Sequence, residues 1–192
     1  MIEVGIALRS LEERSGDRAA IIRFPGGILL TAIDGLGHGA AAADAAVSVL
    51  EQHAGRPLIE LITRCHEALG STRGAVVTIA LLDERARELE WVGVGNVEGR
   101  LLRSGSLPAA GRAEAPVLFG GVVGHHLPAV RTSKVALATG DLVVFATDGV
   151  RSDFTQELGT TGAVQAIADG VLGRSGKADD DALVVVVRWL GP

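Results

Sequence analysis

Two apolar stretches, residues 19–24 and 28–33, are separated only by Pro25-Gly26-Gly27. A parallel crossover needs about a dozen residues or more, so this turn leaves an antiparallel hairpin as the way to pair them. Further strand signals at 2–9, 75–82, 88–94 and 100–103, an apolar run at 142–146 and a closing run at 182–189 are mostly joined by short turns as well. Helical spacing appears from about 38 to 53 (Ala42, Ala45, Ala46, Val49, Leu50) and, after the break at Gly55-Arg56-Pro57, from 58 to 69 (Leu58, Leu61, Ile62, Cys65, Leu69), ending at Gly70. A third helix is predicted over 155–172, and 104–128, rich in Gly, Pro and Ala, reads as loop with one short strand. This order predicts an α/β (α+β) sandwich in which two central antiparallel β-sheets are flanked by α-helices. The expected organisation is a single domain over 1–192 with no separate sensor domain.

Composition narrows the function classes. With four Phe, two Trp and no Tyr, the core must be built from Val, Leu, Ile and Ala. A formal net charge of −5 without a Lys/Arg block argues against nucleic acid or an anionic membrane as partner. No apolar run approaches the roughly 20 residues of a membrane span, and Met1-Ile2-Glu3-Val4 lacks the basic start of a signal peptide, so a cytoplasmic protein is expected. Cys65 sits among helix-core positions and reads as a buried, inert thiol.

The chemistry is carried by acidic residues at strand edges. Asp17 follows Ser15-Gly16, Asp34 opens Asp34-Gly35-Leu36-Gly37-His38-Gly39, Asp148 lies in Thr147-Asp148-Gly149, and Asp179-Asp180-Asp181 precedes the last strand. A lone Asp-Gly after a strand is an ordinary turn, and a lone acidic run is a solvated loop. Buried strands that repeatedly deliver a carboxylate plus Gly suit a hard divalent cation, which takes oxygen ligands and keeps several waters. At Gly35 the missing side chain lets a backbone carbonyl approach a cation that Asp34 also binds. His38 reads as a general acid, a phosphate-binding donor or a polar residue at a helix start. His125-His126 lacks partners at zinc spacing, and no P-loop lysine, dinucleotide fingerprint or Gly-x-Ser-x-Gly elbow is present.

At these residues the chain resembles the metal-dependent Ser/Thr phosphatases of type 2C, in their bacterial SpoIIE-like branch. The matching pieces are Gly16-Asp17, the Asp34–Gly39 motif, residues 74–83, Gly93-Val94-Gly95-Asn96, Gly140-Asp141 with 142–149, and Asp179-Asp180. Residues 92–99 and 120–128 are most similar to the RsbX-type phosphatases of the stressosome.

That resemblance implies two divalent cations, Mn²⁺ or Mg²⁺, activating a bridging water against a phosphoserine or phosphothreonine ester. It makes Asp34 the bridging ligand, Gly35 a carbonyl ligand, Asp17 a holder of one metal through water, and Asp148 plus the first Asp of the final pair the remaining ligands. Asp179 is favoured over Asp180 as that ligand, although Ala182 stands where the family usually has Thr or Ser and the extra Asp blurs the register. The phosphate-binding arginine of the eukaryotic relatives has no counterpart here. The implied partners are phosphorylated stressosome proteins, and a monomer is expected. The alternatives are a phosphatase of an anti-sigma-factor antagonist, a non-catalytic regulator that keeps the fold, and a domain in which metal is only structural.

Overall fold

The structure is a computed structural model that describes residues 1–11, 13–37, 40–105, 113–156 and 158–191. Its elements in chain order are β1 (Ile2–Arg9), β2 (Asp17–Phe24), β3 (Gly27–Gly35), α1 (Ala40–His53), α2 (Leu58–Leu69), β4 (Ala75–Asp83), β5 (Glu88–Val94), β6 (Glu98–Leu102), β7 (Leu118–Phe119), β8 (Ser133–Ala136), β9 (Leu142–Ala146), α3 (Val164–Ser175) and β10 (Ala182–Trp189). One sheet runs β1-β10-β9-β6 and the other β2-β3-β4-β5-β7, with β8 also pairing β5. All named ladders are antiparallel except β5–β7, a short parallel contact at Gly93 and Val94.

Period-two alternation explains the layering. On β3, Ile28, Leu30 and Ala32 face the other sheet, whereas Leu29 and Ile33 face α1 and α2. On β10, Leu183, Val185 and Val187 enter the core between the sheets, and Ala182, Val184 and Val186 pack under α3. Both strands are therefore apolar on both faces, which is why their sequences read as continuous runs rather than alternating ones. The inner core closes on Trp91, Phe145 and Trp189, all nearly inaccessible.

Helix α2 places Leu58, Leu61, Ile62, Cys65 and Leu69 on its buried side and a half-buried Glu60–Arg64 ion pair on its flank. Each of these leucines contributes roughly 1.5–3 kcal/mol by leaving water. Helix α1 buries Ala40, Ala42, Ala43, Ala46 and Leu50, and its small side chains let it lie close over β2 and β3. As the apolar spacing requires, Cys65 is buried; burial pushes its thiol up to about 12.

Three sequence expectations need adjustment. Helix α3 starts at Val164, not near 155, because Gly159 and Gly162 (φ +95°) interrupt the chain. Phe154 and Leu158 are still buried against that helix's core, but Phe154 from a turn and Leu158 from irregular chain. Strand β2 reaches back to Asp17, two residues beyond the apolar run, since its ladder with β3 continues to the Asp17–Asp34 pair. Strand β8 lies outside the predicted elements; it is a half-exposed edge strand with little apolar content. Among the described residues no helix is long and apolar enough to cross a membrane.

Candidate metal centre

Each sheet brings acidic residues to one end of the sandwich. In the first, β9 runs into Thr147-Asp148-Gly149 and β10 is entered from Asp180 and Asp181; the two strands pair as neighbours, Ala146 opposite Val184. In the second, Asp17 opens β2 directly opposite Asp34 near the end of β3. A cavity of about 270 Å³ lies where the two ends meet, lined by Asp34, Gly35, Asp148, Asp180 and Asp181, with Arg14 among its other lining residues.

Hydrogen bonds fix this end of the molecule. The Thr147 hydroxyl donates to Asp17 Oδ2 at 2.7 Å and its oxygen accepts from Leu183 N at 2.9 Å. The amide of Asn96 donates to Asp148 Oδ2 at 2.9 Å. Gly35 N donates to the Gly16 carbonyl at 3.1 Å, and Leu36 N to the Gly74 carbonyl at 3.0 Å, so the backbone around Gly35 is held from both sides. At Gly149 a Cβ would lie 1.7 Å from the Asp181 carbonyl oxygen; only glycine lets the turn carrying Asp148 press against the loop carrying Asp180.

The three consecutive aspartates point to different tasks. Asp179 is exposed and does not line the cavity, whereas Asp180 lines it and is half-buried. Asp181 accepts from Leu11 N, Ser15 Oγ and Gly16 N at 2.8, 2.8 and 2.9 Å, tying the segment before β2 to the site. Burial pushes its carboxyl up, but those donors outweigh burial and hold it below the usual range.

Asp17, Asp34 and Asp180 move the opposite way. Asp17, only 2% exposed, is raised to about 7 by burial and by the charges of Asp34, Asp181 and Asp148, against the opposing Thr147 hydrogen bond. Asp34 is raised to about 6 by burial and then by Asp148, Asp180 and Asp181. Asp180 is raised by burial and by Asp148, with Lys177 partly relieving it. Crowded carboxylates with raised affinity for protons are a donor set that cations would relieve, and the all-oxygen chemistry fits Mg²⁺ or Mn²⁺. Among the described residues no three acidic, His or Cys side chains close around a single point, so waters would complete any coordination shell.

Of the sequence candidates, Asp17, Asp34, Gly35, Asp148 and Asp180 converge on this end of the sandwich; Asp179 stands outside the cavity, and His38 lies outside the described residues. Thr147, Asn96 and the anchoring role of Asp181 were not anticipated. A hydroxyl closing the otherwise apolar stretch of 142–146 was the available signal for Thr147. No cue in the sequence separates Asp181 from its two neighbours, because only the fold shows which carboxylate meets the amides of Leu11 and Gly16.

A family model described as Stage II sporulation protein E (SpoIIE) matches residues 25–190. The chain belongs to the SpoIIE family. A relative within reach by sequence is the phosphoserine phosphatase RsbX of Bacillus subtilis (strain 168), 23% identical over 163 residues, covering 83% of this chain and 79% of that protein. The SpoIIE-family architecture is equally evident in solved structures. A chain from work on the bacterial stressosome, as a modular system adapted to control secondary messenger signalling, is 27% identical with a TM-score of 0.84, covering 98% of this chain and 100% of that one. RsbX in complex with magnesium superposes with a TM-score of 0.83 at 21% identity, covering 97% of this chain and 94% of that one. The serine/threonine phosphatase PstP of Mycobacterium tuberculosis superposes at 0.74 with 16% identity, covering 98% and 99% of the two chains. The two sheets and three helices are thus the fold of type 2C phosphatases, and the named homologues are phosphatases.

Proposed function

We propose that this chain is a metal-dependent phosphoserine/phosphothreonine protein phosphatase. The observation that carries the reading is the convergence of Asp34, Asp148 and Asp180 from two different sheets on one cavity, where burial and then the charge of Asp148 favour protonation of both Asp34 and Asp180. Asp34, the Gly35 carbonyl, Asp148 and Asp180 would hold two divalent cations, and Asp17 would act from behind Asp34 through water. When bound, the cations supply an activated water at neutral pH and neutralise the phosphate ester. Three ligating carboxylates carry a charge of about −3 against +4 from two cations, which leaves a net attraction for a phosphate dianion.

The protein's own residues then do three things. Asn96 holds one oxygen of Asp148, so that this carboxylate presents a fixed edge to the cavity. Asp181 fastens Leu11, Ser15 and Gly16 at the site. His38 would protonate the leaving serine or threonine oxygen. The substrates we infer are phosphorylated stressosome proteins; the likeness to RsbX and to the stressosome-associated chain supports this reading.

Calorimetric titration with Mn²⁺ tests the ligand set. Asp34→Asn, Asp148→Asn and Asp180→Asn should each weaken binding by about tenfold or more, and Asp179→Asn should leave it unchanged. Equal loss in Asp179→Asn and none in Asp180→Asn would move the ligand to Asp179.

A further inference from the structure

Asp148 is shared by two cavities. The first is the carboxylate-lined site described above; the second, about 470 Å³, opens on its other side and is lined by Asn96, Thr147, Asp148, Val150, Phe154 and Lys177, among others. That volume is in the range that holds a small ligand or a few side chains. Its wall is built by a backbone pairing: Val150 bridges Gly176, Arg151 N donates to the Ser175 carbonyl at 2.8 Å, and Lys177 N donates to the Gly149 carbonyl at 2.7 Å. The backbone of Lys177 is therefore fixed beside the Asp148-Gly149 turn.

The cavity's charges are not equivalent. Glu98 is paired with Arg100 at 2.6 Å, and Arg151 is occupied by the Arg174 carbonyl and faces Asp153 at 3.7 Å. Lys177 makes no ion pair among the described residues, and its charge reaches Asp180. Val150 and Phe154, both buried, give the cavity an apolar flank. A cation that lines the apolar-flanked cavity, with its backbone held beside the Asp148-Gly149 turn, is suited to a phosphate group attached to a polypeptide, with phosphate at Lys177 and an apolar neighbour over Phe154.

We propose that this second cavity receives the phosphorylated segment of the protein substrate, and that Lys177 pairs with its phosphate. The inference rests on the phosphatase reading and adds to it the missing phosphate-binding cation and the side from which the substrate chain enters.

Binding tests it without turnover. A short fluorescein-labelled peptide carrying a non-hydrolysable phosphonate analogue of phosphoserine is titrated, with Mg²⁺ present, against the full chain and followed by fluorescence anisotropy. Lys177→Met should weaken binding about tenfold, the equivalent of one charge-assisted hydrogen bond, and Lys177→Arg should restore most of it. The unmodified serine peptide should bind wild type and Lys177→Met alike. Amide chemical shifts of wild type supply a measurement that needs no variant: Asn96, Phe154 and Lys177 should move on adding the peptide. Equal affinity in Lys177→Met, no binding by wild type, or shifts that spare Phe154 and Lys177 would overturn the proposal. Metal-dependent hydrolysis of p-nitrophenyl phosphate by wild type is scored separately, so hydrolysis with unaltered Lys177→Met affinity sinks this inference alone.

Discussion

The hydroxyl of Thr147 donates to the carboxylate of Asp17 at 2.7 Å, joining the end of β9 in one sheet to the start of β2 in the other. The same oxygen accepts from Leu183 N at 2.9 Å, so one buried hydroxyl serves three strands. Thr147→Val keeps the shape but leaves a buried N–H and a buried carboxyl each without a partner. It should cost about 1–3 kcal/mol. At about 2–4 °C per kcal/mol for a chain of this size, thermal unfolding would show the loss clearly. Thr147→Ser should retain most of the stability, and a Val variant as stable as wild type would show the hydroxyl to be dispensable.

The raised carboxyls make a pH prediction. Asp17 and Asp34 move from an ordinary 3.8 to about 7 and about 6, so the folded chain keeps protons that the unfolded chain has released. Their contribution therefore favours folding least at high pH: stability of the metal-free protein falls as pH rises from about 4 to about 7. Asp17→Asn keeps an acceptor for Thr147 and removes the ionisable group. In chelator, its melting temperature should exceed that of wild type near pH 8, and the gap should shrink as pH falls toward 4. Parallel pH profiles for the two proteins would contradict this account.

Gly149 is a steric test of how the Asp148 turn meets the Asp180 loop. A Cβ there would sit 1.7 Å from the Asp181 carbonyl oxygen, which is backbone and cannot swing aside. Gly149→Ala should force that loop away, destabilise the fold by about 2 kcal/mol or more and lower metal affinity. Melting temperature and Mn²⁺ calorimetry measure both. A Gly149→Ala protein with wild-type stability and affinity would mean that the loop tolerates displacement.

Strand β1 is an edge strand whose Val4, Ile6 and Leu8 are 36%, 39% and 49% exposed. Gln165 of α3 caps its middle: Ile6 N donates to Gln165 Oε1 at 3.0 Å, and Gln165 Nε2 donates to the Ile6 carbonyl at 2.8 Å. The carboxamide thus stands where another strand would pair. Gln165→Ala should change stability by less than about 1 kcal/mol yet raise self-association with concentration, as read by sedimentation velocity. Identical sedimentation of variant and wild type would remove this role.

Much of the fold was legible because its strands are buried on both faces or joined by short turns. Residues 28–33 and 182–187 could only be strands, and the Pro25-Gly26-Gly27 turn set their antiparallel sense. The start of α3 was misread because Phe154 and Leu158 keep a helix-like apolar spacing while Gly159 and Gly162 deny the backbone a helix. Asp34 and Asp148 stood out because each follows a buried strand and precedes Gly. The order of tasks within Asp179-Asp180-Asp181 was not readable, since it depends on amides that sit about 165 residues away in sequence. Lys177 escaped notice for the same reason: its position is set by the carbonyl of Gly149, not by any pattern around it.

The most direct test of the central claim is hydrolysis of p-nitrophenyl phosphate and of a phosphoserine peptide with Mn²⁺, with Mg²⁺ and with chelator, comparing wild type with Asp34→Asn. Turnover that requires a divalent cation and falls by about a hundredfold or more in Asp34→Asn is the predicted result. Turnover that persists in chelator or survives Asp34→Asn, or the absence of hydrolysis of both substrates by the folded wild type, would contradict it.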